Sequence, residues 1–346
     1  KRQVYVVDQV SAAVPVLRLL RPRARILFYL HFPDFLLTPN RTALWKRLYR
    51  LPFDAFEQAT TLCAHRIVVN SGFTRDVFLR TFTTFGTPPT PSVLYPCIKV
   101  PEGSGEPASS PPPGEAPFVV LSINRYERKK AIHLAIHAFA RLRASLPAAA
   151  AARTHLVIAG GYDARLHENV EHYRELQAAA AAAGLVPAGA TYERSVVPPA
   201  LAGLPLARAA PDAGFAHMET SGPITWLRSV SDDEKTALLR LASVVLYTPS
   251  NEHFGIVPLE AMAYRRPVVA VASGGPLESV QDDGVTGYLV PEADGADGFA
   301  RALRKVLDAG ATGRAAMGER GRRHVVERFT RDAFAAQLEA LCGAMR

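Results

Sequence analysis

Short apolar, β-branched runs recur along the chain, separated by longer stretches with helical spacing. The runs Val4–Val7, Ile26–His31, Ile67–Asn70, Val93–Tyr95, Phe118–Ile123, Leu156–Ala159, Ile224–Leu227, Val244–Tyr247, Val268–Val271 and Gly287–Val290 predict strands. None alternates cleanly between apolar and polar positions, as expected of parallel strands buried on both faces. Stretches such as Leu134–Leu146, Glu168–Ala182 and Asp233–Leu241 predict helices between them. This strand–helix alternation is the signature of an α/β fold with parallel sheets.

The segment 101–117, PEGSGEPASSPPPGEAP, is rich in Pro, Gly, Ser and Glu and reads as a linker. A second strand–helix series starts afresh after it. The boundaries are therefore a first domain over 1–100, a complete doubly wound second domain over 118–325, and a C-terminal helical segment, 326–346, expected to pack back on the first domain. The first half holds only four strand candidates, fewer than a matching Rossmann-like domain needs, so its front part is expected to be absent. Residues 186–223 are irregular and rich in Ala, Pro and Gly, and read as a surface insertion. The alanine runs 148–152 and 178–183 carry no chemistry.

With 346 residues, 48% hydrophobic and 21% charged, the chain has the composition and length of a two-domain globular protein. Its net charge of +8 points to nucleic acid, a membrane surface or phosphorylated substrates. No aromatic-interleaved basic motif or zinc pattern supports nucleic acid. Cys63, Cys97 and Cys342 form no C-x-x-C pair, which suits a reducing compartment and offers no metal site. No apolar run reaches the 18 or so residues needed to span a bilayer. The chain opens at Lys1, already in strand-like sequence, and reads as a fragment or processed chain.

Three strand-to-helix turns carry candidate chemistry. In Tyr247-Thr-Pro-Ser-Asn-Glu-His-Phe-Gly-Ile-Val-Pro-Leu-Glu-Ala-Met262 a strand ends, a polar loop follows and a helix begins near Gly255. A helix N-terminus offers free N–H groups and partial positive charge, and Gly255 lets a ligand approach the backbone. Glu252 in the loop and Glu260 one turn into the helix can accept hydrogen bonds from sugar hydroxyls, so the site suits a sugar joined to phosphate. Taken alone, the pair also fits a helix cap and a surface carboxylate. In Leu121-Ser-Ile-Asn-Arg-Tyr-Glu-Arg-Lys-Lys130, the cations Arg125, Arg128, Lys129 and Lys130 follow a parallel strand, where open α/β sheets bind ligands. They suit a diphosphate or, equally, a solvated basic loop. In Ala272-Ser-Gly-Gly-Pro-Leu-Glu278, Gly274 and Gly275 permit close backbone approach to phosphate or simply form a turn. No G-x-G-x-x-G, Walker A, H-E-x-x-H or Asp-x-Asp motif is present.

Together these stretches resemble the retaining GT-B glycosyltransferases of family 4, whose donor site carries two glutamates eight positions apart, here Glu252 and Glu260. The resemblance implies two Rossmann-like domains facing a cleft. It matches Arg125 and Lys130 to the family's donor-diphosphate pair, and Phe254, Gly255 and Ile256 to its donor-binding loop. Ala131 stands where the family usually has Gly or Asn. The stretches His31-Phe-Pro-Asp34, Leu48-Tyr-Arg50 with Pro52, Asn70-Ser-Gly-Phe-Thr74, Val93-Leu-Tyr-Pro96 and Asn169-Val-Glu-His-Tyr173 narrow the likeness to the α-1,3/1,6-mannosyltransferases of dolichol-linked oligosaccharide assembly. The likeness runs over nearly the whole chain except the linker and 186–223.

That resemblance implies GDP-mannose as donor and a dolichol-diphosphate chitobiose bearing one mannose as acceptor. Two transfers, α-1,3 and α-1,6, would occur on the cytosolic face of the endoplasmic reticulum membrane, alongside other mannosyltransferases. Arg125, Lys130 and the helix start at Gly255 would neutralise the departing diphosphate, with no metal or other cofactor required. Glu252 would hold mannose hydroxyls, Glu260 the ribose, and His31 the reacting sugar. A family-4 transferase using another donor such as UDP-glucose, and an inactive sugar-nucleotide-binding scaffold, stand as the alternatives.

Overall fold

The computed structural model describes residues 3–36, 44–101, 117–186, 193–194 and 218–345, with the backbone alone for 44–48 and 193–194. The linker residues 102–116 and most of the expected insertion, 187–192 and 195–217, lie outside the described residues. The chain divides into two compact units, Lys1–Lys99 with Glu327–Arg346, and Val100–Val326.

The first unit is built on β1 (Val4–Asp8), β2 (Arg25–Leu30), β3 (Arg66–Val69) and β4 (Ser92–Val93), in that spatial order. All neighbours are parallel. Three helices connect them: α1 (Ala13–Leu20), α2 (Leu44–Leu62) and α3 (Gly72–Thr81). Ser71 caps α3 by accepting from the Thr74 N–H at 3.0 Å. Side chains of β2 alternate between two cores, as a period of two requires. Ile26, Phe28 and Leu30 pack with Val14, Phe35, Phe78 and Phe82, while Leu27 and Tyr29 pack on the opposite face.

The second unit contains an eight-stranded sheet. Its strands are β5 (Phe118–Ile123), β6 (Thr154–Gly160), β7 (Glu193–Arg194), β8 (Met218–Ser221), β9 (Ile224–Arg228), β10 (Val244–Tyr247), β11 (Val268–Val271) and β12 (Gly287–Val290). The spatial order is β12-β11-β10-β5-β6-β9-β8-β7. Every residue of β5, β6, β10 and β11 is buried, because helices cover both faces. Those helices include α4 (Ile132–Ala144), α5 (Ala148–Ala151), α6 (His167–Ala182), α7 (Asp232–Leu241), α8 (Ile256–Ala263), α9 (Pro276–Ser279), α10 (Gly295–Asp308) and α11 (Gly310–Arg328). In α10 the buried residues Ala296, Phe299, Ala302, Leu303 and Val306 form one helical face in the core with Phe139 of α4.

One sequence expectation needs correction. Residues 218–223 are not irregular: Met218–Ser221 forms β8, antiparallel to β9 through the two-residue turn Gly222–Pro223. The strand lacks an apolar run because its pairing is anchored by polar groups. Glu219, 8% exposed, accepts from Tyr173 Oη at 2.6 Å and from Arg228 at 3.1 Å. The sheet is therefore mixed at this edge, with β7 also antiparallel to β8.

The last helix, α12 (Arg331–Gly343), belongs to the first unit. Phe334, Leu338 and Leu341, at helical spacing, pack against Leu27, Tyr29, Val68 and Leu94 of the sheet.

Candidate functional site

The second sheet reverses its winding between β5 and β10. From β5 the chain proceeds outward through β6 and β9 on one side, and through β10, β11 and β12 on the other. Such a switch point leaves an opening at the carboxyl ends of the two strands, where open α/β sheets take ligands. The loop after β5 ends in Lys130 and the loop after β10 carries Glu252. They meet there: Lys130 Nζ donates to Glu252 Oε1 at 2.5 Å, with side chains 15% and 24% exposed.

Local sequence fixes both groups. Residues 128–130 form a 3₁₀ turn, and Ala131 then takes a left-handed conformation at φ 48°, ψ 36° to enter α4. Glycine or asparagine would adopt that conformation more easily. Thr248 Oγ1 donates to the Lys130 carbonyl at 2.8 Å, tying the two loops together. The Glu252 loop is braced from below. Its carbonyl accepts from the Gly275 N–H at 2.8 Å, and the Asn251 N–H donates to Ser273 Oγ at 3.1 Å.

Gly274 and Gly275 are the floor of this brace. A Cβ on Gly275 would lie 1.8 Å from the Phe254 carbonyl oxygen, and one on Gly274 would lie 2.4 Å from that of Glu252. On these faces the close approach is made by the protein's own loop. The two glycines shape the loop that carries Glu252.

Gly255 precedes α8 with φ 79°, over the ring of Tyr247, which is 3% exposed. The N–H groups of the first turn of α8, beginning at Ile256, supply partial positive charge beside Phe254 and Gly255. His253 in the same loop is pushed down to about 4, first by burial; the nearby Glu252 charge opposes this and Lys130 and Lys129 reinforce it. Its imidazole is neutral at pH 7.

Glu260 lies one turn into α8 and pairs with Lys235 of α7, Nζ to Oε1 2.9 Å. Burial works against the Lys235 ammonium, yet Glu260 and Asp232 hold its pKa above the usual lysine value. Lys235 was not singled out in the sequence, because Ser231-Asp-Asp-Glu-Lys235 reads simply as a helix start. It is one: Ser231 and Glu234 form a capping box.

The four cations after β5 separate in role. Arg128 is held by α6, with Glu171 at 3.2 Å and Glu175 at 2.6 Å, and Lys129 pairs with Glu127 at 3.2 Å. Arg125 is 73% exposed, with Glu127 at 3.7 Å. Only Lys130 is packed against Glu252.

His31 lies in the first unit, just past the end of β2. Its Nε2 is 2.7 Å from Asp8 Oδ1, and its backbone N–H donates to Gln9 Oε1 at 2.9 Å. Gln9 Nε2 in turn donates to Asp34 Oδ1 at 2.6 Å. This network joins the ends of β1 and β2 and has no local sequence signal. Among the described residues, no three His, Cys, Asp or Glu side chains converge as a metal site.

The arrangement suits a ligand bearing both phosphate and sugar. A half-buried ammonium and a helix N-terminus meet anionic oxygens, and a neighbouring carboxylate accepts from hydroxyls. Comparison with known proteins gives the chemistry a name in relatives. Residues 216–324 match the family described as glycosyl transferases group 1. The chain is 44% identical over 338 residues to the alpha-1,3/1,6-mannosyltransferase ALG2 of Homo sapiens, covering 97% of this chain and 71% of that protein. It is 40% identical to the alpha-1,3/1,6-mannosyltransferase ALG2 of Yarrowia lipolytica, covering 98% of this chain and 70% of that protein. Among solved structures, a sucrose-phosphate synthase from Thermosynechococcus elongatus matches with TM-score 0.66 at 20% identity, covering 99% of this chain and 73% of that one. Anabaena HepE in complex with UDP-glucose matches with TM-score 0.65 at 18% identity, covering 98% and 78%.

Proposed function

The chain belongs to the α-1,3/1,6-mannosyltransferases, GT-B enzymes of glycosyl transferase group 1, and we propose that it transfers mannose from GDP-mannose to a dolichol-diphosphate oligosaccharide. The observation that carries the reading at residue level is the meeting of Lys130 and Glu252 at the switch point beside the start of α8. In this reading the acceptor is the chitobiose core bearing one mannose, and α-1,3 and α-1,6 linkages are added in two turnovers. The work is done at the cytosolic face of the endoplasmic reticulum membrane.

Donor cleavage moves negative charge onto the departing GDP. Lys130, Arg125 and the N–H groups at Ile256 meet that charge, and each is worth more as it grows in the transition state. No metal is required for this step, because the protein supplies the cations. As the diphosphate engages Lys130, the Glu252 carboxylate is released from its ion pair and becomes the acceptor for mannose hydroxyls. Glu260, held by Lys235, takes the ribose hydroxyls. Phe254 and Gly255 shape the loop against the donor, and Gly274 and Gly275 keep that loop in place. His31 contacts the reacting sugar, oriented by Asp8. The acceptor hydroxyl attacks from the face that the diphosphate leaves and passes its proton to an oxygen of that departing diphosphate, giving retention.

The test is a transfer assay with GDP-mannose and a lipid-linked trisaccharide, with and without chelator. Hexose addition that persists in EDTA is expected. Loss restored only by added metal would overturn the protein-cation reading.

A further inference from the structure

The chain leaves β1 through a strained residue. The Gln9 N–H donates to the Tyr29 carbonyl at 2.9 Å and extends the β1–β2 pairing by one position. The backbone then turns sharply, with the Val10 N–H donating to the Asp8 carbonyl at 2.7 Å and Gln9 at φ 57°. Glycine suits that left-handed conformation, and a residue with a Cβ there carries strain that its contacts must offset.

The Gln9 side chain makes those contacts, all to one loop. Its Oε1 accepts from the His31 N–H at 2.9 Å, and its Nε2 donates to the Phe32 carbonyl at 2.9 Å and to Asp34 Oδ1 at 2.6 Å. The far side of the loop is held by α2, where the Glu57 carboxylate accepts from the Asp34 and Phe35 N–H groups at 2.8 and 2.9 Å. Pro33, between the two clamps, has no N–H to satisfy. The backbone of the loop is therefore fixed from the end of β1 and from α2 together. The pairing of β1 with β2 runs through backbone groups, so it does not by itself account for these side-chain bonds.

Fixing that backbone fixes the imidazole of His31. Its ring lies 4.7 Å from the Tyr29 ring, centroid to centroid, and its Nε2 lies 2.7 Å from Asp8 Oδ1. A carboxylate only accepts, so Nε2 carries the proton and the neutral ring keeps its lone pair on Nδ1. The side chain is 44% exposed, and among the described residues Nδ1 has no hydrogen-bond partner. Because Asp8 and Gln9 are adjacent, one turn sets both the carboxylate and the loop it faces. We propose that Gln9 is a positioning residue for the transfer, holding the 31–34 loop so that His31 presents Nδ1 as a hydrogen-bond acceptor to a hydroxyl of the reacting sugar. The proposal deepens the contact between His31 and that sugar, and rests on it.

The experiment pairs steady-state kinetics with imidazole NMR on the full chain carrying isotope-labelled histidine, the His31 signals being assigned by their loss in His31→Gln. In the wild type, His31 is expected to show a protonated Nε2 and a bare Nδ1. Gln9→Gly eases the backbone and removes the clamp. It should move the His31 signals toward a mixture of tautomers and lower kcat about 10- to 100-fold, with KM for GDP-mannose changed less than about twofold. Urea unfolding and GDP binding near the wild-type values report that the variant folds. A residue serving stability alone would instead lower the urea midpoint and leave kcat of the folded fraction unchanged. Gln9→Glu keeps an acceptor for the His31 N–H but sets a carboxylate against that of Asp34, and should lose at least as much. Adding Asp34→Asn returns a donor to that contact, and the double variant should regain about fivefold or more over Gln9→Glu. Three results would overturn the proposal: unmoved His31 signals in Gln9→Gly, wild-type kcat in Gln9→Gly beside an impaired His31→Ala, or no recovery in the double variant. Displaced signals with wild-type kcat in both Gln9→Gly and His31→Ala would count against the sugar contact of His31 alone.

Discussion

Replacing Glu252 by alanine separates two roles that a simple loss-of-function reading would merge. Glu252 is the partner of Lys130 at 2.5 Å, with side chains 24% and 15% exposed. Pairs in open solvent contribute about 0–1 kcal/mol, and breaking a fully buried pair costs about 3–5 kcal/mol. Partial exposure places this one at about 1–3 kcal/mol. A diphosphate that recruits Lys130 must first displace Glu252, so part of that energy opposes GDP binding. Glu252→Ala removes the competition, and GDP affinity should hold or tighten by about 5- to 10-fold, since about 1.4 kcal/mol is a factor of ten. Transfer should nevertheless fall roughly 30- to 1000-fold, from loss of about 2–4 kcal/mol of transition-state stabilisation at the sugar. Calorimetry with GDP and a mannosyl-transfer assay on the same preparation measure the two effects. Parallel loss of GDP binding and transfer would refute the reasoning, as would transfer within a few-fold of wild type.

Three further outcomes follow from the same geometry. Gly275→Ala places a methyl group 1.8 Å from the Phe254 carbonyl oxygen, so it should displace the Glu252 loop and lower transfer at least about tenfold. Fluorescence-monitored GDP binding should weaken with it, and wild-type kinetics would show that the loop is not braced there. Ala131→Gly relieves the left-handed conformation at φ 48° and should raise stability by roughly 0.5–1 kcal/mol in urea unfolding, unless unfolded-state entropy cancels it; a clear loss would contradict the strain argument. Burial pushes the His155 imidazole, 3% exposed, down from 6.5 to about 4. The folded chain therefore refuses a proton that the unfolded chain accepts: stability is full above pH 6.5 and is lost as pH falls toward 4, by on the order of 3 kcal/mol. His155→Gln should flatten that loss between pH 7 and 4.5, and identical slopes would exclude His155 as its source.

The α/β fold was legible because its central strands are buried on both faces. The apolar runs Phe118–Ile123, Val244–Tyr247, Val268–Val271 and Gly287–Val290 have the same bounds in sequence and structure. Strand β8 was not legible, since Met218-Glu-Thr-Ser221 pairs through buried polar contacts of Glu219 rather than through an apolar pattern. At the site, local pattern located the strand-to-helix turns but not their partners. Lys130 and Glu252 are 122 residues apart in sequence, and only the switch in strand order joins them. The same limit hid Lys235 beside Glu260 and Asp8 beside His31. It also hid Arg128's capture by Glu171 and Glu175, so that a run of four cations read as one group. The Gly274–Gly275 pair shows the converse. The sequence marks the need for a missing Cβ, and the structure reveals that backbone from the Glu252 loop is what requires it.

The central claim is the donor and what is made from it. The decisive measurement incubates the purified protein with equal concentrations of GDP-mannose and UDP-glucose and a lipid-diphosphate trisaccharide in vesicles, then identifies the lipid-linked products by mass spectrometry and linkage-specific mannosidase digestion. The account predicts two added mannoses, one α-1,3 and one α-1,6, drawn from GDP-mannose alone. Glucose in the product, or GDP binding with no sugar transferred by the folded protein, would contradict it.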